Sequence, residues 1–364
     1  MTYTHQGKIL LNGLVEPGLV TENTEELIFR PEDDGRQIAE YLKGDFEWWY
    51  FDVHDLASGC FLKIVLHVGT DPLRTRVFPQ LAVSVNTPER NRSLFYPFGF
   101  SEMQTETELC NIKVANKINI RTDPIVPTKY LIDIDIPLFR CSFFFRGTVE
   151  GWKPFGNKII YQPGKKKGDF SWVVPIPRAQ VEGDFFFENQ KFTLYSAIGY
   201  HDHNYIRVDR KHPLYLDGLG KKWYWGKCYA GRFTMIFADV HTRTSRLQSL
   251  MVAENDWILH SSNGLSECFV KNMGFDETLK TNYPASLNIK SLDESFPFTA
   301  EFEFERILDR RDLLEGVNPL FKFLIKSFVA RPVYHGILTK VRMEINNICI
   351  RGPGNFESMV FRDK

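Results

Sequence analysis

Residues 130–136 read Tyr-Leu-Ile-Asp-Ile-Asp-Ile, so apolar and acidic side chains alternate along this segment. Successive side chains of a β-strand point to opposite faces, so a period of two predicts a strand with one buried and one solvated face. Further β-rich runs are separated by Gly, Pro, Asn and Asp, and they lie at residues 61–68, 81–85, 143–149, 233–238 and 300–304. Short strands with such punctuation predict an all-β protein, an antiparallel sandwich or barrel.

The chain has 364 residues, which exceeds the usual size of a single domain, so two domains are expected. We predict a lead-in segment at 1–40, a first domain at 41–205 and a second at 206–364. Residues 313–329 depart from the strand pattern. We predict a short amphipathic helix there, with Asn318 as its cap and Pro319 in its first turn. Such a helix fits two roles, a plug at a barrel end or a lid that contacts a membrane surface.

The formal net charge is zero, which leaves no basic excess to neutralise phosphates, so nucleic acid is not an expected partner. The chain contains 31 Phe, a composition that suits either a large apolar interior or a cavity for a hydrophobic small molecule. Neither a secretory signal nor a run of roughly 18 apolar residues occurs, so a cytoplasmic protein is expected, with peripheral membrane contact left open. The sequence leaves the oligomeric state open.

Residues 199–204 read Gly-Tyr-His-Asp-His-Asn and concentrate groups that exchange protons or hydrogen bonds. In a strand, Asp202 and Asn204 share one face, while His201 and His203 share the other. If the Asp202 face lines an apolar cavity, burial raises the pKa of this carboxyl and makes it a proton donor. Asn204 would then orient the acid, and His201 or His203 would relay the proton.

Two other interpretations of the same residues stay open at this point. In the first, Asp202 and Asn204 hold a turn while the histidines bond backbone carbonyl groups. In the second, His201 and His203 bind a metal ion with a third ligand from His241, His260, Asp239 or a carboxylate elsewhere. Nothing in the sequence specifies that ligand, so no metal is expected.

Two aromatic clusters accompany this motif, Glu-Trp-Trp-Tyr-Phe-Asp at 47–52 and Trp-Tyr-Trp-Gly at 223–226. In a strand, Trp48 and Tyr50 share one face, and Trp49 and Phe51 share the other. Large aromatic side chains mostly fill cores, but they also wall pockets, where each ring stabilises a cation by ~0.5–2 kcal/mol. No nucleophile elbow, phosphate-binding loop or dinucleotide fingerprint occurs, so no organic cofactor is expected.

At these motifs the sequence resembles the carotenoid 1,2-hydratase (hydroxyneurosporene synthase)-like, AttH-like family. The resemblance rests on the segments at 47–52, 177–183, 199–204 and 223–226, in that order and at the family's separations, from about residue 40 to the end. It implies two tandem lipocalin-like antiparallel β-barrel domains. It also implies that Asp202 is the proton-donating acid, with Tyr200, His201 and the Trp cluster around it. Tyr205-Ile206 stands where family members often have Trp-Gly, which changes the pocket wall.

The resemblance implies an enzyme that needs no cofactor and acts on a terpenoid- or polyene-like substrate, by alkene protonation followed by hydration or cyclisation. Similar folds include enzymes that direct Diels–Alder cyclisations, so a pericyclase is the first alternative. A carrier of a lipophilic ligand is the second. The predicted catalytic residues are Asp202, His201, Tyr200 and Asn204. The predicted substrate-binding residues are Glu47, Trp48, Trp49, Tyr50, His203, Trp223 and Trp225.

Overall fold

The computed structural model describes residues 19–21, 29–42, 44–70, 77–154, 159–161, 168–208, 221–241, 246–312 and 332–360. The described chain is almost entirely antiparallel β-structure, which confirms the all-β prediction. Two 3₁₀ turns, Pro31–Asp33 and Phe100–Glu102, are the helical elements of this part of the chain. The helix predicted at 313–329 lies outside the described residues. None of the helices in the described part of the chain has the length and apolar character needed to cross a bilayer.

The chain divides into two compact units, one of residues Gly18–Leu216 and one that includes Asp217–Lys364. The strands of the first unit are β1 Leu19–Thr21, β2 Phe46–Asp55, β3 Cys60–Thr70, β4 Val77–Asn86, β5 Asn91–Pro97, β6 Met103–Thr105, β7 Ile112–Val114, β8 Ile118–Thr122, β9 Lys129–Ile136, β10 Phe139–Gly147, β11 Ile159–Tyr161, β12 Gly168–Phe187 and β13 Gln190–Val208. Those of the second unit are β14 Lys222–Ala230, β15 Phe233–His241, β16 Arg246–Glu254, β17 Trp257–Asn263, β18 Ser266–Asp276, β19 Thr281–Ser291, β20 Phe298–Asp312, β21 Val333–Ile345 and β22 Ile348–Val360. The domain limits expected from the sequence, 41–205 and 206–364, remain a prediction.

In the first unit one sheet runs in the order β5-β4-β3-β2-β13-β12-β10-β9-β8-β7-β6, and β1 and β11 join it beside β12. Val83 of β4 and Ile112 of β7 lie near opposite ends of this order, yet both belong to one buried apolar cluster. The sheet therefore curls around its core. Residues 130–136 form most of β9, where their apolar side chains alternate into the interior as predicted.

In the second unit one sheet runs in the order β17-β16-β15-β14-β22-β21-β20-β19-β18. Val252 of β16 and Cys268 of β18 come from distant places in this order but share a second buried apolar cluster. The side chain of Arg246 on β16 also donates a hydrogen bond to the Cys268 carbonyl group. This sheet therefore also curls around its own core.

Two glycines are needed where the strands of the first unit pack closely. Gly183 in β12 has φ of 133°, and a Cβ atom there would lie 2.0 Å from the Ser142 carbonyl oxygen. A Cβ atom at Gly199 in β13 would lie 2.4 Å from a methyl carbon of Val181. Both distances are too short for a side chain, which accounts for glycine at these two motif positions.

Candidate functional site

β13 lies between β2 and β12 at the centre of the first sheet, and it carries the motif at 199–204. In register with β2, His201 lies opposite Phe51, Asp202 opposite Tyr50, His203 opposite Trp49 and Asn204 opposite Trp48. Side chains of directly paired residues share a face of the sheet. The pleat therefore divides these residues between the inner face, which holds the core, and the outer face.

On the inner face, His201 bonds a carboxyl group from the N-terminal strap, which we define as residues 31–42. His201 Nε2 lies 2.9 Å from Asp34 Oδ2, and His201 Nδ1 lies 2.9 Å from the Tyr50 carbonyl oxygen. The Tyr130 hydroxyl donates a second hydrogen bond to Asp34 Oδ2 at 2.6 Å. Because a carbonyl oxygen only accepts, Nδ1 of His201 carries a hydrogen, and the pair with Asp34 shares one further proton.

His203 makes a second pair of the same kind with Glu47. Its Nε2 lies 2.9 Å from Glu47 Oε1, and its Nδ1 lies 3.1 Å from the Asp33 carbonyl oxygen. Glu47 also accepts hydrogen bonds from the Gln37 backbone N–H at 2.7 Å and from the Tyr41 hydroxyl at 2.6 Å. Both ring nitrogens of His203 therefore face acceptor oxygens, so both donate and the ring is an imidazolium.

Each histidine also stacks on the aromatic ring opposite it in β2. The centroids of His201 and Phe51 lie 3.9 Å apart with an interplanar angle of 6°, and those of His203 and Trp49 lie 4.7 Å apart at 10°. Both histidines are fully buried, and so is Glu47. For His203, stacking on Trp49 and the pairing with Glu47 together stabilise the positive charge that burial would otherwise disfavour.

The stability of the first unit is expected to fall as the pH rises, because the His203 pKa is raised from its ordinary value of 6.5. Burial alone would lower this pKa, but the hydrogen bond and the charge of Glu47, with the charge of Asp34, outweigh it. A raised histidine pKa stabilises the folded state fully below the unfolded pKa, and this contribution is lost as the pH rises through the folded pKa.

Urea denaturation of the wild type and of His203→Gln across pH 6 to 10 measures this dependence. The wild type should lose more stability over this range than the variant, which has no imidazole at this position. Equal slopes for the two proteins would contradict the assignment of His203 as an imidazolium.

Asp34, Cys110 and His201 bring three potential metal-binding atoms within 4.8 Å of one another. Burial, and then the negative charge of Asp34, raise the pKa of the Cys110 thiol well above its usual range, so it keeps its proton. Metal ligation needs the thiolate, and Asp34 already accepts hydrogen bonds from Tyr130 and His201. These three residues fit a hydrogen-bonded network better than a metal site.

The other candidate metal ligands, all in the second unit, have partners there. Asp239 bonds His241 at 2.9 Å and accepts two hydrogen bonds from Arg246. His260 lies 3.0 Å from the Ser262 hydroxyl. Each of these side chains therefore serves a local contact of its own unit.

On the outer face, the Asp202 carboxyl group accepts three side-chain hydrogen bonds. The Tyr200 hydroxyl donates to Oδ2 at 2.8 Å, and the Asn204 amide donates to Oδ1 at 2.8 Å. The indole N–H of Trp172 on β12 donates to Oδ2 at 3.3 Å. All three donors point at carboxyl oxygens, so they stabilise the charge that this group carries once it has lost its proton.

The surroundings of Asp202 are aromatic. The rings of Tyr50 and Tyr200 meet edge to face at a centroid distance of 6.0 Å, and Trp152 meets Trp172 in the same way at 5.3 Å. Asp202 is 5% exposed, whereas Trp48, on the same face, is only partly buried and stacks on Phe170. The outer face therefore combines a buried carboxyl group with aromatic rings that extend towards the surface.

The structure divides the predicted site residues into three sets. Tyr200, Asp202 and Asn204 are bonded to one another on the outer face, with Tyr50 and Trp48 beside them. His201, His203, Glu47 and Trp49 form the inner set. The described hydrogen bonds of His201 and His203 go to the strap, to Glu47 and to the Tyr50 carbonyl group, on the opposite face of β13 from Asp202, and the proton relay stays a prediction. Trp223 and Trp225 alternate with Tyr224 of the second core and lie on the outer face of β14.

Two important residues were missed by reasoning from the sequence. Trp172 contacts Asp202 from 30 positions away, and Asp34 contacts His201 from 167 positions away. One feature of the sequence could have indicated Trp172, because it is an aromatic residue in a strand-like run just before the motif at 177–183. Asp34 lies in a polar turn, and nothing local distinguishes it from a solvated acid.

Comparison with known proteins bears on the fold. The chain is 23% identical over 242 residues to the hydroxyneurosporene dehydrogenase of Chlorobaculum tepidum, a match that covers 55% of this chain and 58% of that protein. No family model matches the chain.

Solved structures match over nearly the whole chain. An AttH candidate from Nitrosomonas europaea matches with a TM-score of 0.63 at 12% identity, covering 93% of this chain and 98% of that one. CghA bound to Sch210972 matches with a TM-score of 0.62 at 10% identity, covering 95% and 99%. Kievitone hydratase from Nectria haematococca matches with a TM-score of 0.56 at 11% identity, covering 92% and 94%. These similarities confirm the predicted resemblance, and the chain has the lipocalin-like fold of the AttH-like, carotenoid hydratase-like proteins.

Proposed function

We propose that this protein is an enzyme in which Asp202 donates a proton to an alkene carbon of a hydrophobic, terpenoid- or polyene-like substrate, without an organic cofactor. The observation that carries the proposal is the buried Asp202 carboxyl group with three side-chain donors, from Tyr200, Trp172 and Asn204. Three fixed donors beside aromatic rings suit a group that changes its charge during a reaction.

The three donors supply a physical reason for catalysis. When Asp202 transfers its proton, negative charge develops on oxygens that Tyr200, Trp172 and Asn204 already face. Donors that are oriented beforehand stabilise this charge without reorganising. A positioned general acid contributes roughly 10²–10⁴-fold to a rate, and orientation of the substrate contributes much of the remainder.

The aromatic side chains stabilise the positive charge that protonation creates on the substrate. Protonation of the alkene leaves a carbocation, and the π faces of rings such as Trp48 and Tyr50 attract a cation by ~0.5–2 kcal/mol each. Water, or an alkene or hydroxyl group of the same molecule, then adds to the cation. The carboxylate of Asp202 takes up the proton that is released, which restores the acid and yields a hydrated or a cyclised product.

The names of two relatives support a small-molecule enzyme of this kind. One is a hydroxyneurosporene dehydrogenase and the other a kievitone hydratase. Both names describe enzymes, and the second describes a hydration. The protonation step is the part of the proposal that this chain's own Asp202 supports.

Mass spectrometry in D₂O tests the proposal directly. The purified protein is incubated with isoprenoid and polyene extracts in H₂O and in D₂O, and products are compared. New deuterium on carbon together with the mass of one water indicates hydration, and new deuterium without added mass of water indicates cyclisation. A deuterium-free isomer would instead indicate a pericyclase, and a bound ligand recovered unchanged would indicate a carrier; either outcome would refute the protonation step.

Replacing Trp172 by Phe is expected to lower kcat about tenfold, because it removes one N–H donor worth about 1–1.5 kcal/mol and keeps an aromatic ring. Steady-state kinetics on the substrate found in the D₂O experiment measure this effect. Trp257→Phe in the second unit, where the side chain is 68% exposed, is the control and should leave kcat unchanged. An unchanged kcat in Trp172→Phe would remove this donor from the mechanism.

A further inference from the structure

Lys153 lies in the bridge segment, which we define as residues 151–153, after the end of β10. Its side chain is 2% exposed, and its Nζ lies 2.9 Å from Asp33 Oδ2 and 3.0 Å from Asp33 Oδ1. Lysines are rarely buried so completely unless a carboxylate pairs with them. Such a pair is often no more stabilising than apolar residues of the same volume, so stability alone does not account for it. An ion pair does, however, hold the segment that carries it in one place.

Two contacts join the bridge segment to the residues at the start of the strap. The first is the ion pair of Lys153 with Asp33. The second is the packing of Phe29 on Gly151, where a Cβ atom would lie 2.5 Å from a ring carbon of Phe29. Asp33 is held in turn from β13, because its carbonyl oxygen accepts a hydrogen bond from His203 Nδ1 at 3.1 Å. The bridge segment is therefore fixed on the side of the strap.

The backbone of the bridge segment pairs with β12 at Trp152. The N–H and carbonyl groups of Trp152 each bond the backbone of Val174 at 2.8 Å, in an antiparallel bridge. Successive side chains of an extended segment point to opposite sides, so Trp152 and Lys153 point away from each other. The contacts agree with this, because Lys153 reaches Asp33 of the strap and Trp152 reaches the ring of Trp172. The bridge segment thus connects the strap with the outer face of the sheet.

Trp152 limits the positions that the Trp172 ring can take. The two ring centroids lie 5.3 Å apart at an interplanar angle of 74°, and both side chains are buried. Edge-to-face packing in a buried place fixes the orientation of a ring as well as its position. The Trp172 N–H meets Asp202 Oδ2 at 3.3 Å, which is longer than the usual N–H···O bond. A small displacement of the ring would therefore lose this hydrogen bond.

We propose that Lys153 is a positioning residue for the candidate acid. Its ion pair with Asp33 holds the bridge segment in place. The segment keeps Trp152 against Trp172, and the Trp172 N–H therefore stays directed at Asp202. The effect of Lys153 on a reaction rate rests on the proposed function of Asp202, whereas its effect on the Trp172 N–H does not.

Nuclear magnetic resonance of the full chain with ¹⁵N-labelled tryptophan tests this arrangement without any substrate. The chain contains seven tryptophans, and the indole signal of Trp172 is the one that Trp172→Phe removes. Lys153→Met keeps an unbranched apolar side chain and removes the ammonium group. In this variant the Trp172 signal should shift, and its N–H should exchange with solvent about tenfold faster than in the wild type, because its hydrogen bond is weakened.

Steady-state kinetics on the substrate found in the D₂O experiment test the consequence for the reaction. Lys153→Met should lower kcat about tenfold and leave KM unchanged, as expected for the loss of one N–H donor that acts in the transition state. In the Trp172→Phe background the same substitution should lower kcat no further, because Lys153 then has no indole N–H to position. A general structural defect would instead lower kcat in both backgrounds.

Lys191→Met is the matched control, because it removes an exposed lysine whose ion pair with Asp184 has the same length of 2.9 Å. It should leave the Trp172 signal and kcat unchanged. Where Lys153→Met does not fold, the double variant Asp33→Asn/Lys153→Met replaces it. This variant removes both charges, so it leaves no unpaired buried ion, and it should shift the Trp172 signal in the same way.

Two results would overturn the proposal. One is a Trp172 signal that stays unchanged in these variants. The other is a kcat that Lys153→Met leaves unchanged, or lowers equally in the wild-type and the Trp172→Phe backgrounds. If no protonated product forms at all, the proposed function fails, while the Trp172 signal still supports or overturns the role of Lys153.

Discussion

Glu47→Gln is expected to lower the free energy of unfolding by about 3–5 kcal/mol, the usual cost of removing one partner of a buried ion pair. Glu47 is fully buried and bonds His203, Tyr41 and the backbone of the strap. A glutamine has the same size but no charge, so the buried His203 imidazolium loses the carboxylate 2.9 Å from its Nε2. His203 must then release its proton or remain unpaired.

Chemical denaturation at pH 6 measures this loss, with Glu89→Gln as the control at an exposed position. The control should change stability by less than about 0.5 kcal/mol. The penalty of Glu47→Gln should also shrink at a pH above the raised His203 pKa, because the neutral imidazole no longer needs a carboxylate. A loss of less than about 1 kcal/mol at pH 6 would contradict a stabilising ion pair between Glu47 and His203, because exposed surface pairs contribute that little.

Asp202→Asn is expected to lower the turnover rate by roughly 10²–10⁴-fold, the contribution of a positioned general acid. An amide has nearly the same shape as a carboxylic acid but no proton to give to an alkene. The amide oxygen still accepts hydrogen bonds from the donors on its side. The amide nitrogen cannot accept from the donors that faced the second carboxyl oxygen, so a stability loss of about 1–3 kcal/mol is expected. The fold and the affinity for substrate should otherwise be retained.

The result is measured as deuterium incorporated per unit time in D₂O, beside the stability of each variant. Asp135→Asn is the control, because Asp135 is an exposed aspartate on the outer side of β9. It should react at the wild-type rate. If Asp202→Asn also keeps the wild-type rate, proton donation by Asp202 is excluded, and a role in shaping the substrate for a pericyclic reaction becomes the better account.

Local sequence patterns predict much of the fold. The alternation at 130–136 predicts a half-buried strand, and the structure has β9 there with its isoleucines in the core. The same rule separates Asp202 and Asn204 from His201 and His203 before any partner is known, because side-chain direction in a strand depends only on odd or even position. Motifs of this kind were also enough to indicate the family resemblance.

Partners could not be predicted in the same way, because they depend on strand order and register. His201 meets Asp34 only because the strap crosses the inner face of β13, and Asp202 meets Trp172 only because β12 is the neighbour of β13. A period of two fixes which face a side chain occupies but carries no information about which distant strand lies beside it. The sequence by itself thus determined the strands and the two faces of the motif, and the tertiary structure decided which face holds the His–carboxylate pairs and which holds the candidate acid.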